Sequence, residues 1–291
     1  MIDRLTIIGV GLIGGSLARA LKTAGAVKEV IGVSQSIQHL QHARDLGVID
    51  KAEIDLGASV IDADIVVVAV PVGAMESVFE NIAGHLSDKT ILTDVGSTKG
   101  SVVAAAKKAF GELPENFIPA HPIAGTEKSG VDASFAELFQ GRRVILTPTE
   151  TSNASAVSRV REMWQKIGAI VTETTVEHHD EVLAATSHLP HLLAFALVDT
   201  LATMDDKQEI FDYAAGGFRD FTRIASSDPV MWHDICVHNE TAIAKILDRF
   251  ETDLEKLREA IANNDSDYIM KIFTRAKAAR DQLMQPTSEN R

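Results

Sequence analysis

Three sets of residues in this chain have types and spacings that suit chemistry. Gly9, Gly11 and Gly14 follow the pattern Gly-x-Gly-x-x-Gly, with Val10, Leu12 and Ile13 filling it. His121 opens the run His-Pro-Ile-Ala-Gly-Thr-Glu that ends at Glu127, and Ser97 stands in the earlier run Asp94-Val-Gly-Ser-Thr-Lys-Gly100. Arg219 and Arg223 lie four apart in a short polar segment, downstream of His188-Leu-Pro-His191.

The glycine run follows an apolar stretch and opens a helical one, the setting that a dinucleotide-binding turn requires. Gly9 permits the tight turn, Gly11 removes a side chain where a pyrophosphate approaches, and Gly14 lets helix and strand pack closely. Free N–H groups and the positive end of the helix dipole, around Gly11, Leu12 and Ile13, then bind the phosphates. A tight turn without a ligand fits the same glycines, but their place at the head of a series of strand–helix units favours the cofactor. An acid about 20 positions further on ordinarily bonds the adenosine ribose. Here the second strand ends in Gly32-Val33-Ser34-Gln35-Ser36, with no carboxylate and no adjacent Arg for a 2′-phosphate. Ser34 can bond either species. The absence of Lys or Arg between Ser34 and His42 leans toward NAD without excluding NADP.

His121 follows an expected strand over Phe117–Ala120, and the carboxyl ends of strands face the ligand crevice in open α/β sheets. A histidine there can accept the proton of an alcohol while hydride leaves the same carbon. It can equally cap the strand or bond backbone. Ser97, one unit earlier, reads as a helix N-cap, or as a partner for His121 or for the nicotinamide amide.

The formal net charge of −13 argues against nucleic acid as a partner. An anionic substrate would need a local basic cluster to reverse that field. Arg219 and Arg223 share a face if their segment is helical, and Lys99 and Lys128 can join them. Arginine suits the task because its fork binds carboxylate bidentately. The competing reading pairs the two arginines with Asp220, Asp228 or Glu240. His188 and His191 lack the spacing and glutamate of a helical zinc motif, and no cysteine cluster accompanies them, so no metal is expected. His178–His179 and the pair His39 and His42 read as surface residues, and Trp232 as a packed aromatic.

The elements that must position these residues change character along the chain. Leu5–Gly9, Glu29–Ser34, Asp64–Val70 and Thr90–Val95 are continuous apolar runs, the mark of parallel strands covered on both faces. Helical spacing separates them near 12–24, 36–46, 73–86 and 98–110, with Gly25 and Gly47 just past the first two, where a helix often needs positive φ. Further strands are expected at Phe117–Ala120, Arg143–Pro148 and Ile170–Thr174, with a helix near 153–167. Residues 1–175 thus read as a doubly wound α/β, Rossmann-type dinucleotide-binding domain. Residues 176–291 read as all-α, with helices over 177–203, 206–215, 228–261 and 266–284, a turn at Asn263–Asn264–Asp265 and a frayed polar tail from Gln285.

At 45% hydrophobic and 24% charged residues, the composition is that of a folded chain able to bury a core without staples. The single cysteine, Cys236, cannot form an intramolecular bridge. The start is not that of a signal peptide. The longest apolar stretch, taken as Ile65–Pro71, is too short to span a bilayer. The cytoplasm is the expected location.

Five blocks carry a resemblance: GVGLIGGSLA (9–18), TDVGSTKG (93–100), HPIAGTEKSG (121–130), TSHLPHLLAFALVDTL (186–201) and GGFRDFTRIASSDPVMWHDI (216–235). In order, and over nearly the whole chain, they resemble the prephenate/arogenate (cyclohexadienyl) dehydrogenase family of tyrosine biosynthesis. The resemblance implies an NAD(P)-binding domain followed by a helical domain that forms a homodimer. It implies oxidative decarboxylation of prephenate to 4-hydroxyphenylpyruvate, or of arogenate to tyrosine, with hydride leaving the ring carbon that bears the hydroxyl. His121 falls on the histidine that polarises or deprotonates that hydroxyl, and Ser97 on the serine that orients it. Arg223 matches the arginine that binds substrate carboxylate, His188 and His191 lie in the motif lining the substrate pocket, and Glu127 matches an acid near its mouth. The length leaves no room for the fused mutase or regulatory domains of some relatives, so any tyrosine feedback is expected at the active site. The alternatives are a β-hydroxyacid or imine dehydrogenase of the same two-part architecture, which would need a catalytic lysine in its helical domain, and a dinucleotide sensor without turnover.

Overall fold

A computed structural model of the chain describes residues 1–283. The tail expected from Gln285, and the last residue of the helix expected over 266–284, lie outside them. The chain forms two compact units, Met1–Ile243 and a second beginning at Ala244.

The first unit is built on a parallel sheet in the order β3-β2-β1-β4-β5-β6. Its strands are β1 (Ile2–Ile8), β2 (Val27–Val33), β3 (Lys51–Glu53), β4 (Ile65–Val68), β5 (Ile91–Asp94) and β6 (Phe117–Ile118). The continuous apolar runs are explained by β4: Ile65 and Val67 enter one core, and Val66 and Val68 the core on the opposite face. Helices α1 (Leu12–Thr23), α2 (Ile37–Asp45), α3 (Leu56–Val60), α4 (Val72–Ile82) and α5 (Lys99–Phe110) connect the strands. As expected, Gly25 and Gly47 end α1 and α2 with φ of +59° and +70°. The strand order reverses between β1 and β4, the topological switch point where such sheets bind ligands. The short elements β3 and α3 had no periodicity long enough to be seen in sequence.

The single strand expected at Phe117–Ala120 is two. Proline has no N–H to give a ladder, and at Pro119 the chain leaves the parallel sheet and enters a second sheet. That sheet has the order β7-β8-β9, with β7 (Ala120–Pro122) antiparallel to β8 (Arg143–Leu146) and β8 parallel to β9 (Ile170–Glu173). Helix α6 (Ala154–Lys166) joins β8 to β9. His121 therefore lies within a strand, opposite Ile145, rather than in the loop after one.

Beyond β9 the chain is helical, as its pattern predicts. The helix expected over 177–203 is α7 (Val176–Leu183) and α8 (Leu189–Ala202), joined by a wider π turn at Ala184–His188. Such turns are frequent at functional sites. Then come α9 (Lys207–Asp212), α10 (Gly216–Thr222), a 3-10 turn at Arg223–Ser226, and α11 (Pro229–His238). The helix expected over 228–261 is broken at Asn239 (φ −126°, ψ 33°), so that α11 is followed by α12 (Glu240–Ala262). The predicted turn is present, with Asn264 at φ +53°, before α13 (Ser266–Leu283). Val176–Ala202 is, by length and composition, apolar enough to cross a membrane. It is longer than Ile65–Pro71, although Thr186, Ser187, His188 and His191 interrupt its apolar run.

Candidate functional site

The glycine turn does what its spacing predicts, with a different reason at each position. Gly9 has φ +99°, and a Cβ there would lie 2.5 Å from the carbonyl oxygen of Ala69. A Cβ on Gly14 would lie 2.2 Å from the carbonyl oxygen of Gly9 and 2.9 Å from Cγ2 of Ile7. Those two glycines are required by the protein's own packing. Gly11 differs, because a Cβ there would meet nothing within 4 Å. It is also the N-cap of α1 and offers no side chain to the free N–H groups of the first turn. An open, uncapped helix start fits a pyrophosphate. Ser34 follows β2, and Ser36 caps α2 by accepting from the His39 N–H. His39, expected to be a plain surface residue, ties α2 to the turn by donating from Nε2 to the Val10 carbonyl at 2.9 Å.

At the end of β5, the fully buried Asp94 accepts from the Gly96 N–H at 2.7 Å and from the Ala120 N–H at 3.1 Å. The residues preceding Ser97 and His121 are thus pinned to one carboxylate. Lys99 Nζ pairs with Asp94 and donates to the Ala120 carbonyl at 2.7 Å. Lys99 has no exposed surface, which corrects its place in the expected substrate-facing cluster. Burial pushes its ammonium pKa below the ordinary range, against the pull of Asp94. Ser97 is not the helix cap either. The N-cap of α5 is Thr98, and the first N–H groups, those of Lys99 and Gly100, donate to the two carboxylate oxygens of Asp180 on α7, each at 2.8 Å. Among the described residues the Ser97 hydroxyl makes no hydrogen bond.

Asp180 leads to the histidines. His179 Nδ1 donates to Asp180 Oδ1 at 2.8 Å, and His179 Nε2 lies 2.9 Å from Nδ1 of His121. His179 is 1% exposed, so the expectation of a surface residue holds for its neighbour His178 and fails for it. Helical spacing turns His179 inward beside Leu183. Asn239, in the break between α11 and α12, donates from Nδ2 to the Asp180 carbonyl at 3.0 Å and to His188 Nδ1 at 3.1 Å. His191 donates from Nδ1 to the Ser187 carbonyl at 2.8 Å and stacks on Trp232 with ring centroids 3.7 Å apart. Burial is the main cause that lowers the pKa of all four histidines: His121 well below its ordinary 6.5, His188 to about 4, and His179 and His191 below 6.5. Burial pushes the Asp180 carboxyl up, but its bonds from His179, Lys99 and Gly100 outweigh that and hold it below the ordinary value.

Arg223, at the start of the 3-10 turn, pairs with Glu127 rather than with Asp220, Asp228 or Glu240. Asp228 instead caps α11. Arg219, on α10, is exposed and makes no ion pair among the described residues. Lys128 is exposed beside Glu127.

A glycine turn on the first strand of a parallel sheet, with a serine and a buried histidine whose preceding residues share one buried carboxylate, defines a dinucleotide-dependent dehydrogenase. The family described as prephenate dehydrogenase, nucleotide-binding domain, matches residues 17–173, and its dimerization domain matches residues 175–275. The chain is 42% identical to a cyclohexadienyl dehydrogenase of Zymomonas mobilis, over 95% of this chain and 94% of that one. It is 37% identical to a prephenate dehydrogenase of Bacillus subtilis, over 97% of this chain and 76% of that one. The structure of prephenate dehydrogenase from Aquifex aeolicus with hydroxyphenyl propionate and NAD+ superposes with a TM-score of 0.90 at 36% identity, covering 97% and 99% of the two chains. The chain belongs to the prephenate dehydrogenase family.

Proposed function

We propose that this chain catalyses the NAD(P)-dependent oxidative decarboxylation of prephenate, of arogenate, or of both. The observation that carries the proposal is His121, a buried histidine held through Nδ1, whose Nε2 has no hydrogen bond among the described residues. Asp94, at the carboxyl end of β5, holds the residues that precede His121 and Ser97 on one carboxylate.

In this reading residues 1–175 hold the dinucleotide, with Gly11, Leu12 and Ile13 at the pyrophosphate and Ser34 near the adenosine ribose. The bound nicotinamide supplies the hydride acceptor. Ser97 orients the ring hydroxyl of the substrate, and His121 Nε2 accepts its hydrogen bond or its proton as the C–H electron pair leaves. Loss of the ring carboxylate as carbon dioxide returns an electron pair to the ring and makes it aromatic. The proton lent to His121 then returns to the phenol oxygen, so the reaction releases none. Arg223 binds substrate carboxylate in place of Glu127, with Arg219 and Lys128 adding positive charge on a chain of net −13. His188 and His191 line the substrate pocket. Residues 176–291 supply this pocket and the homodimer contact, and the enzyme works in the cytoplasm.

The test is His121→Asn, assayed with both substrates and both cofactors. Turnover falls by about 10²–10⁴-fold while cofactor affinity stays, the usual share of a general base. A fully active variant overturns the role given to His121.

A further inference from the structure

The side chain and backbone carbonyl of Asp180 hold a single connected set of hydrogen bonds. Its carboxylate accepts from Lys99 N, Gly100 N and His179 Nδ1, and its backbone carbonyl accepts from Asn239. An ionised carboxylate can only accept, so His179 must carry its proton on Nδ1. A neutral His179 then presents a bare Nε2, and the His121 nitrogen facing it must be the donor. The His121 proton therefore sits on Nδ1 and its Nε2 is left as a lone pair. The second branch runs the opposite way. The Asn239 amide donates to His188 Nδ1, so the His188 proton sits on Nε2.

We infer that His179 and Asp180 are positioning residues that hold His121 in the tautomer with a free Nε2 acceptor, while Asn239 holds His188 with a free Nε2 donor. One residue thus sets two neighbouring imidazoles to opposite polarity, His121 through its carboxylate and His188 through its backbone carbonyl and Asn239: an acceptor for the ring hydroxyl and a donor for an acceptor group of the substrate. The same carboxylate caps α5, so the tautomer of His121 is tied to the helix that begins two residues after Ser97. When His121 takes up the proton, its Nδ1–H keeps its bond to His179, and Asp180 lies one ring further on to offset the new charge. Burial is the main cause that lowers the His121 pKa and keeps the ring neutral near pH 7, and the other titratable groups acting on it, His179, Lys99 and His188, pull in the same direction when charged. The logic is that of a carboxylate–histidine pair, in which losing the carboxylate costs rate through the wrong tautomer, with one more histidine in the chain.

The inference rests on the reading of His121 as the acid–base group, and the experiment separates the two. Nitrogen NMR of isotope-labelled histidines in the full-length protein near neutral pH, assigned with His121→Asn and His188→Asn, reads each tautomer directly. His121 is expected with a protonated Nδ1 and His188 with a protonated Nε2. His121 protonated on Nε2 overturns the inference. In Asp180→Ala, His179 Nδ1 loses its acceptor, so His179 carries its proton on Nε2 and donates to His121 Nδ1, which puts the His121 proton on Nε2. That variant is expected to lose about 10²-fold in kcat with substrate KM little changed. His179→Gln, whose oxygen accepts from His121 and whose nitrogen donates to Asp180, is expected to keep tautomer and most activity, and His179→Leu to lose both. Equal activity in His179→Gln and His179→Leu, or an unchanged tautomer in a folded Asp180→Ala, contradicts the inference. The predicted tautomers with no turnover of prephenate or arogenate leave the positioning intact and overturn the proposed function instead.

Discussion

The guanidinium of Arg223 is paired with the carboxylate of Glu127, 96 positions earlier in the chain. Their side chains are 63% and 39% exposed, so the pair contributes no more than about 1 kcal/mol. A substrate carboxylate can displace Glu127 at small cost and gain a bidentate contact. Glu127→Gln is therefore expected to lower substrate KM by about two- to fivefold, with the effect fading as salt rises. Arg223→Gln is expected to raise KM by about 10–100-fold, the range of a hydrogen bond to a charged group. Steady-state kinetics at two ionic strengths checks both.

Two glycines of one turn are expected to separate packing from binding. Gly14→Ala drives a Cβ to 2.2 Å from the Gly9 carbonyl oxygen, so unfolding free energy falls by about 1–3 kcal/mol. Gly11→Val meets open space in the protein, so stability holds while dinucleotide affinity drops. Thermal unfolding alongside NAD+ titration calorimetry distinguishes them. Equal affinity in Gly11→Val places the pyrophosphate elsewhere.

Lys99 and Asp94 are both fully buried. Removing one member leaves the other charge without its partner, so Lys99→Met is expected to destabilise the protein by about 3–5 kcal/mol. It also releases the Ala120 carbonyl and loosens the strand that carries His121. Urea unfolding measures the first effect, and a fall in kcat at unchanged cofactor affinity reports the second.

The buried histidines make stability and activity depend on pH in the same direction. Each has a folded pKa below the unfolded value of 6.5, so the unfolded chain binds more protons as pH falls. Their penalty is absent above about pH 6.5 and grows as pH falls toward the folded values. For His188, with a folded pKa of about 4, it reaches on the order of 3 kcal/mol. The Tm is expected to drop on going from about pH 7.5 to about pH 5, and less so in His188→Asn. The acid limb of kcat/KM is expected below pH 6.5, because the free base is His121 with its lowered pKa.

The parallel sheet and the glycine turn were legible because both repeat a local rule: continuous apolar strands, and glycines at a fixed spacing between a strand and a helix. Ser97, His121, Arg223 and Glu127 were legible through motif resemblance. What the sequence hid was pairing across distance. His179 reads as half of a polar His–His doublet, and only the packing of α7 on α5 turns it inward to reach His121, 58 positions away. Lys99 reads as a surface cation until Asp94 is seen to bury it. Asn239 sits inside an apparently unbroken helical pattern, and its side chain is needed elsewhere. The strand break, by contrast, has a local signal in Pro119, which cannot donate to a ladder.

The central claim is the reaction itself. The most direct measurement adds prephenate, and separately arogenate, to the purified enzyme with NAD+ and follows reduced cofactor, carbon dioxide and aromatic product together. Equal amounts of all three, from at least one substrate, are predicted. If both ring substrates are inert while a small β-hydroxy acid or an imine turns over, the account is contradicted.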